Sequence, residues 1–519
     1  MNSFAPAPSL ATPDWNAIDS AMVLQSQPSI KNNELHLITS CGDLYISLCG
    51  FGMRLKSQKQ RDHDYGMLIE QPLNENISLT KHPGASVIES ESQTLKIQHE
   101  PFSFELMDKA GKRVVHSADD GHFVRRHRVP PLARVENGWI FSIALTSNEP
   151  IYGLGEKWGS LNKRGQLVRS YNVDALGVNA EVSYKNTPFC WSPEGWGVLT
   201  HTPAPVTHAV GEASWSQRSY CAHIEDEVLD IFIFNAHAAT NEIAQPINSK
   251  AANHKPLNNG AVIIESYTKL TGRAPMPPLW STGVILSKAY YQDPQELLAV
   301  ARQVRDKNMP CDVITIDGRA WQDTRTRFAF EWDASRYPDP GAIIDKLKEL
   351  DFKVCIWEYP LISVEHDWFK MFAEKGWLLK DRRTNEAYRY SWDPQAFGKV
   401  LTPLPDSGIV DFTHPDAYAF WREAHKPLFD LGIDMIKADF GEQIEDDNMI
   451  AHNGERGHAL HNVYAFLYNQ CVYEAAEKYS PSGPFLFSRA AWIGSQRFIG
   501  AARFDPVTTT RSSSSPRKA

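Results

Sequence analysis

The 519-residue sequence contains no Cys-x-x-Cys pair, and none of its seven cysteines stands at a zinc-ligand spacing from a histidine. That excludes a sequence-readable structural zinc site. The cysteines (Cys41, Cys49, Cys190, Cys221, Cys311, Cys355 and Cys471) are odd in number and scattered. They predict thiols kept in a reducing, cytoplasmic compartment rather than a disulfide framework. The first twenty residues lack a basic segment followed by an apolar one, so no secretory signal is predicted, and the sequon Asn76-Ile77-Ser78 is read as incidental. No run of 18 apolar residues occurs, which removes a membrane-spanning helix from the expectations. A basic excess is missing as well. The net charge is −9, and nucleic acid and anionic membranes both call for basic patches. What is present is ordinary for a globular enzyme: 42% hydrophobic and 22% charged residues, in a chain long enough for two or three domains.

The rhythm of the sequence changes near residue 275. From about 31 to 270, short alternating runs broken by Gly and Asp read as strands; Phe102, Phe104 and Leu106 alternate before a turn at Asp108 to Gly111. Amphipathic helices are nearly absent there, and a β-sandwich is expected. After Pro275, Pro277 and Pro278, apolar strands alternate with helices. Asp293 and Pro294 open the first helix, with Glu296 in the capping-box position. A single helix is expected from about Ala417 to Leu431, and a long one from about His458 to Tyr479. Strand-helix alternation with apolar strands predicts a parallel sheet with right-handed crossovers. A (β/α)8 barrel is the leading architecture and a doubly wound sheet the alternative. Six strands can be counted. The expected division is an extension over 1–30, a β-sandwich over 31–270, a partial barrel over 271–505 and a polar, Ser-rich tail over 506–519.

The strand ends carry the chemistry. In a βα barrel the strand C-termini line the active site. Here they bear Asp317, Trp357 with Glu358, Lys437 with Asp439, Arg489, and Asp505. One aspartate after a strand is more often a cap or a surface ion pair, but a succession of strands ending this way favours a site. Lys437 and Asp439 share a face because strand side chains repeat every two residues, and a cation beside a carboxylate keeps it ionised. Paired carboxylates at one pocket suit glycoside hydrolysis. The 15 Trp and 18 Tyr are compatible with sugar stacking, although most belong to the core. The tetrapeptide Ala438 to Gly441 also resembles the magnesium-binding motif of protein kinases. No His-Arg-Asp loop and no glycine-rich phosphate loop accompany it, which excludes that reading.

At this point the sequence resembles glycoside hydrolase family 31, the α-glucosidase and α-xylosidase family, over about residues 35 to 505. The likeness rests on segments in family order, among them Tyr152 to Gly165, Ser192 to Thr202, Phe330 to Trp357, Lys437 to Glu442 and Phe487 to Phe498. The resemblance implies Asp439 as catalytic nucleophile and Asp505 as general acid/base. It further implies Lys437 and Arg489 as contacts of the first sugar, Asp317 as a hydroxyl-binding residue and Trp357 as a wall. The implied activity is a retaining exo-α-glycosidase acting on terminal α-linked glucosyl or xylosyl residues of oligosaccharides or small glycosides. No metal or organic cofactor is implied, and two carboxyl groups about 5–5.5 Å apart are expected. Arg503 and Phe504 stand where the family carries small residues, and Glu358 stands in place of an asparagine. The family's last two barrel strands, a sugar-binding histidine and C-terminal β-domains have no counterpart in the sequence, so a truncated barrel is expected. The competing class is a catalytically inactive relative or a carbohydrate-binding protein. Relatives are often oligomeric, and a homo-oligomer is compatible with the sequence.

Overall fold

The computed structural model describes residues 22–118, 129–174, 182–243, 258–288, 290–323, 325–392, 404–498 and 501–502. The expected tail over 506–519 and most of the extension over 1–30 lie outside them. Two compact units emerge: the described residues up to Gly272 form one, except that the segment beginning at Asn172 joins the residues from Arg273 onward in the other.

In the first unit, alternation decides the architecture. An eight-stranded antiparallel sheet runs from Ser29–Lys31 through Gly52–Ser57 and Asp230–Asn235 to Tyr152–Gly153, and a five-stranded sheet is built around Gly138–Ala144 and Ser219–Ile224. A five-stranded meander spans Ser78–His82 to Arg113–His116. Leu35, Leu37, Ile46, Leu95, Ile97, Phe104, Leu106, Phe141, Ile231 and Ile233 from these sheets bury into one core. Each such side chain contributes about 1.5–3 kcal/mol through removal from water. This is the expected sandwich. Two helices that alternation did not predict close the unit, Ala236–Ile243 and Asn259–Thr271. The second starts where the Asn258 side chain accepts a hydrogen bond from Ala261 N at 2.9 Å, and it buries Val262, Ile263, Tyr267 and Leu270 at helical spacing.

The second unit is a parallel sheet of six strands in chain order. They are β1 (Ile285–Lys288), β2 (Val313–Ile316), β3 (Lys353–Glu358), β4 (Met435–Ala438), β5 (Leu486–Ser488) and β6 (Ala501–Ala502). The sheet is open among the described residues: β1 and β6 are its edges. Helices occupy the crossovers: α1 (Pro294–Asp306), α2 (Pro340–Glu349), α3 (Asp367–Lys375), α4 (Pro415–Ala424), α5 (Lys426–Asp430) and α6 (Gly457–Tyr479). Asp293 caps α1 by accepting from Glu296 N at 2.9 Å, with Pro294 at its first position; Asp339 and Pro340 repeat the device at α2. Glu296 takes the N–H of Gln292 rather than that of the cap residue, so the capping box is displaced by one residue. The single helix expected from Ala417 to Leu431 is two, α4 and α5, because Pro427 has no N–H to continue the ladder. Strand β4 begins at Met435 and runs on through Lys437 to Ala438. No helix among the described residues is long and apolar enough to cross a membrane.

Candidate active site

Register and parity place the site. Trp357 on β3 is paired in register with Lys437 on β4, and Glu358 with Ala438. Successive side chains of a strand alternate between faces, so Trp357 and Lys437 point one way, joined by Asp439 two residues on. Asp439 ends the ladder: its N–H donates to Glu358 O at 2.9 Å, and Arg489 N donates to Ala438 O at 3.0 Å. The chain then turns through Phe440 in the left-handed region at φ 64°, a conformation that bulky residues avoid. Such strain collects at functional sites.

Four donors surround the Asp439 carboxylate. Trp357 Nε1 donates to Oδ2 at 2.6 Å, and Lys437 Nζ lies 3.0 Å from the same oxygen. Arg489 Nε lies 3.2 Å from Oδ1, which also accepts from Phe440 N at 3.0 Å. Burial alone pushes a carboxyl pKa up. Here the charges of Lys437 and Arg489, helped by the Trp357 and Lys437 hydrogen bonds, outweigh it and hold Asp439 well below the usual carboxylate range. Asp439 therefore carries its charge at any physiological pH while only 8% exposed. Lys437 Nζ also lies 3.1 Å from Asp317 Oδ2, so one ammonium ties the ends of β2 and β4 together. Trp357 can lie flat across the β2 end because residue 318 is glycine. A Cβ there would sit 2.3 Å from the Trp357 ring.

Arg489, at the end of β5, is held by three carboxylates. Besides Asp439, Glu442 receives Nε at 3.1 Å and Nη2 at 2.7 Å, and Asp174 lies 3.4 Å from Nη1. Its guanidinium stacks 3.9 Å from the Phe440 ring centroid. Glu442 is fully buried. Burial, then the neighbouring Asp174 and Asp439 charges, raise its pKa against the pull of Arg489, the opposite of what happens at Asp439. Aromatic rings complete the surroundings: Tyr359 lies 4.9 Å from Trp357, and Trp392 lies 4.8 Å from Phe440.

The structure thus brings together Asp317, Trp357, Lys437, Asp439 and Arg489. Asp505 lies outside the described residues. Glu358, grouped with them as a strand-end residue, faces the other way, toward the helices. Its carboxylate is 2.7 Å from His425 Nε2 and accepts from Tyr468 OH at 2.9 Å, with both Glu358 and His425 at 0% exposure. Parity alone predicts that separation. Glu442 and Asp174 were not anticipated. Glu442 stands in the sequence beside Asp439 and could have been flagged by that proximity. Asp174 comes from a segment embedded in the strand-rich half, and no local signal marks it. Among the described residues, no group of three His, Cys, Asp or Glu side chains is arranged to hold a metal ion. Chemically, the arrangement presents one ionised oxygen pair, braced by two cations and walled by aromatic rings. It can attack or stabilise a carbon that develops positive charge.

Comparison with known proteins gives this geometry a context. Residues 274–504 match the model of the glycosyl hydrolases family 31 TIM-barrel domain, and residues 47–208 that of the glycosyl hydrolase 31 N-terminal galactose mutarotase-like domain. An alpha-xylosidase of Emericella nidulans is 30% identical over 362 residues, covering 69% of this chain and 42% of that protein. The alpha-xylosidase XylQ of Lactiplantibacillus pentosus is 30% identical over 338 residues, covering 65% of this chain and 40% of that protein. The chain therefore spans about two fifths of the length of these curated relatives. In fold, it is similar to a Flavobacterium johnsoniae GH31 dextranase complexed with glucose, with a TM-score of 0.77 and 23% identity, covering 93% of this chain and 56% of that one.

Proposed function

We propose that this chain, which belongs to glycoside hydrolase family 31, acts as a retaining exo-α-glycosidase on terminal α-linked glucosyl or xylosyl residues. Asp439 attacks the anomeric carbon from the face opposite the leaving group and forms a covalent glycosyl-enzyme. Asp505 protonates the departing oxygen and then, as base, activates the water that releases the sugar. Lys437 and Arg489 keep Asp439 anionic and contact the first sugar, Asp317 binds its hydroxyls, and Trp357 both orients Asp439 and walls the site. The substrate is an oligosaccharide or small glycoside. A cytoplasmic setting fits the six buried cysteines.

The observation that carries this reading is the ionised carboxylate of Asp439, fixed by four donors at the C-terminal end of a barrel strand. The test is nitrophenol release from p-nitrophenyl α-glucoside and α-xyloside, run beside Asp439→Ala. The wild-type chain is expected to exceed the variant by at least about 10³-fold, and the first-formed sugar should carry the α configuration. Equal rates in the two proteins would sink the hydrolase reading. They would leave the alternative of a carbohydrate-binding protein without turnover.

A further inference from the structure

The eight-stranded sheet of the first unit carries a cavity on the face turned away from its core. On the strand Gly52–Ser57, Leu55 enters the core with Ile231 and Ile233. Parity sends Arg54 to the opposite face, where its guanidinium lies 4.8 Å from the Phe232 ring centroid. Asp230, two residues before Phe232, shares that face. His201 follows the neighbouring strand Trp196–Thr200, and its backbone N–H donates to Asp230 O at 2.9 Å. Together with the loop after Ser57, these residues line a cavity of about 370 Å³, a size that suits a small ligand.

The lysines and arginines of the cavity are already answered. Arg54 gives Nε and Nη2 to the two oxygens of Asp230, each at 2.8 Å. Arg61 pairs with Asp226 at 2.8 Å, Lys56 with Glu34 at 2.9 Å, and Lys59 with Glu227. Burial pushes the Asp230 pKa up, but the hydrogen bonds of Arg54 and His201 outweigh it and hold the carboxyl well below its usual range. Asp230 can then only accept, so His201 Nδ1, 2.7 Å from its Oδ2, carries the hydrogen. In the neutral ring this leaves Nε2 as a lone pair. That nitrogen is buried without a hydrogen-bond partner, in a residue 4% exposed. Buried polar atoms are almost always satisfied. Asp64 Oδ1 faces it from 3.6 Å, beyond hydrogen-bond reach, and the Asp64 carboxylate has no other partner among the described residues.

Two facing acceptors require a ligand that brings two hydrogens. A hydroxyl has one to give, so a pair of hydroxyls meets the demand. A fully ionised anion brings none, and it would compete with Asp230, Asp226, Glu34 and Glu227 for their cations. A metal ion or an ammonium group would enter beside Arg54, Lys56, Lys59 and Arg61 and be repelled. A neutral polyol avoids both conflicts. Gln71, whose side-chain oxygen accepts from Arg54 Nη1 at 3.1 Å, keeps its amide hydrogens for the polyol's own oxygens. A sugar ring fixes two neighbouring hydroxyls in space and so loses less freedom on binding than an open-chain polyol. We propose that this cavity binds a neutral saccharide, with His201 Nε2 and Asp64 each accepting from one of two adjacent hydroxyls. The residues that form it all belong to the strand-rich unit, so the inference stands without the hydrolase reading.

The test follows the His201 ring itself by nuclear magnetic resonance. In the full chain with isotope-labelled histidine, the Nε2 signal missing from His201→Phe belongs to His201. Methyl α-glucoside, methyl α-xyloside and maltotriose are titrated against that signal, beside glycerol, inorganic phosphate and methylammonium. At least one saccharide is expected to shift it saturably, at concentrations where the three small compounds leave it in place. Asp64→Ala alters a side chain that is 56% exposed, so the fold should tolerate it. It is expected to weaken the saccharide about tenfold or more, while melting temperature and nitrophenol release match the wild-type chain. No response to any saccharide overturns the proposal and leaves a cavity that holds water alone. A response to glycerol, phosphate or methylammonium equal to that of the saccharide overturns the ligand class. Unchanged affinity in Asp64→Ala overturns the paired acceptors, and a variant that melts lower would mark the carboxylate as part of the fold. A saturable saccharide shift without nitrophenol release would sink hydrolysis and keep this site; release without the shift would do the reverse.

Discussion

Strand β4 has an aspartate at each end, and the two meet opposite demands. Asp434, just before the strand, is 1% exposed and pairs with Lys348 and Lys353; it also accepts from Val354 N at 2.8 Å and from the Ser482 hydroxyl. Asp439, just after it, has two cations, an indole and a backbone N–H. Burial works against ionisation at both, and cations overcome it at both. The difference lies in what holds the cations. Lys348 and Lys353 are about one third exposed, so at the entrance water and protein share the charge. Lys437 and Arg489 are 14% and 12% exposed and are themselves pinned by Asp317, Glu442 and Asp174. The entrance is a clamp joining α2, β3 and β4. At the exit, charges are fixed in advance with little solvent to screen them, which is how a site stabilises charge that develops during a reaction. This is the division expected in a βα barrel, with stability at the strand N-termini and chemistry at the C-termini.

The comparison can be broken at either end. The largest effect belongs to the exit, where Asp439→Ala is expected to abolish turnover as described above. At the entrance the signature should invert. Asp434→Ala removes the shared partner of two lysines that are about one third exposed, and the acceptor of Val354 N. A stability loss of about 2–3 kcal/mol is expected, reduced from a fully buried pair by solvent screening, with kcat within about threefold of wild type. Urea denaturation beside nitrophenol release reads both quantities. A rate lost in proportion to stability would erase the proposed division.

Between these extremes sits Glu442, which touches the chemistry only through Arg489. Glu442→Gln keeps shape and burial but removes the charge that opposes Asp439 for the guanidinium. About tenfold is expected to be lost from kcat with little change in KM, since a small displacement of a charge-stabilising group costs one to two decades. The acid limb of the pH-rate profile should move too, because Arg489 then answers Asp439 with one competitor fewer. A structural role alone would leave that limb in place.

How much of this was visible beforehand depends on whether a residue's role is local. Lys437, Asp439, Asp317, Trp357 and Arg489 stand at strand ends, and a period of two places them on one face; those relations are legible in any sequence with clear strand-helix alternation. Glu358 stands at the same level and was read with them. A single step of parity turned it toward α6, which shows that strand-end position without face is only half the information. Asp174 was invisible, because it is brought to Arg489 by a chain excursion out of the strand-rich half. The two helices after Asn235 were missed where apolar residues at helical spacing followed a long series of strands.

The smallest expected effect concerns the helix-facing side of the same sheet. His425 Nδ1 faces Trp421 O at 2.8 Å and Nε2 faces the Glu358 carboxylate at 2.7 Å, so both ring nitrogens meet acceptors and the imidazolium satisfies both. Burial opposes that charge, but Glu358, by charge and hydrogen bond, raises the pKa above the ordinary value of 6.5. A raised folded-state pKa gives stability that is fully present below 6.5 and is lost as pH climbs through the higher folded value. The carboxylates at the two ends of β4 run the other way: their lowered values give stability present above the ordinary carboxylate range and lost only in acid. His425→Gln keeps a donor for Glu358 but cannot titrate. Denaturation midpoints measured from pH 6 upward should fall for the wild-type chain and stay flatter for the variant. Parallel curves would mean that the buried pair is neutral, and that Asp439 and Glu358 differ in their charge as well as in the face they occupy.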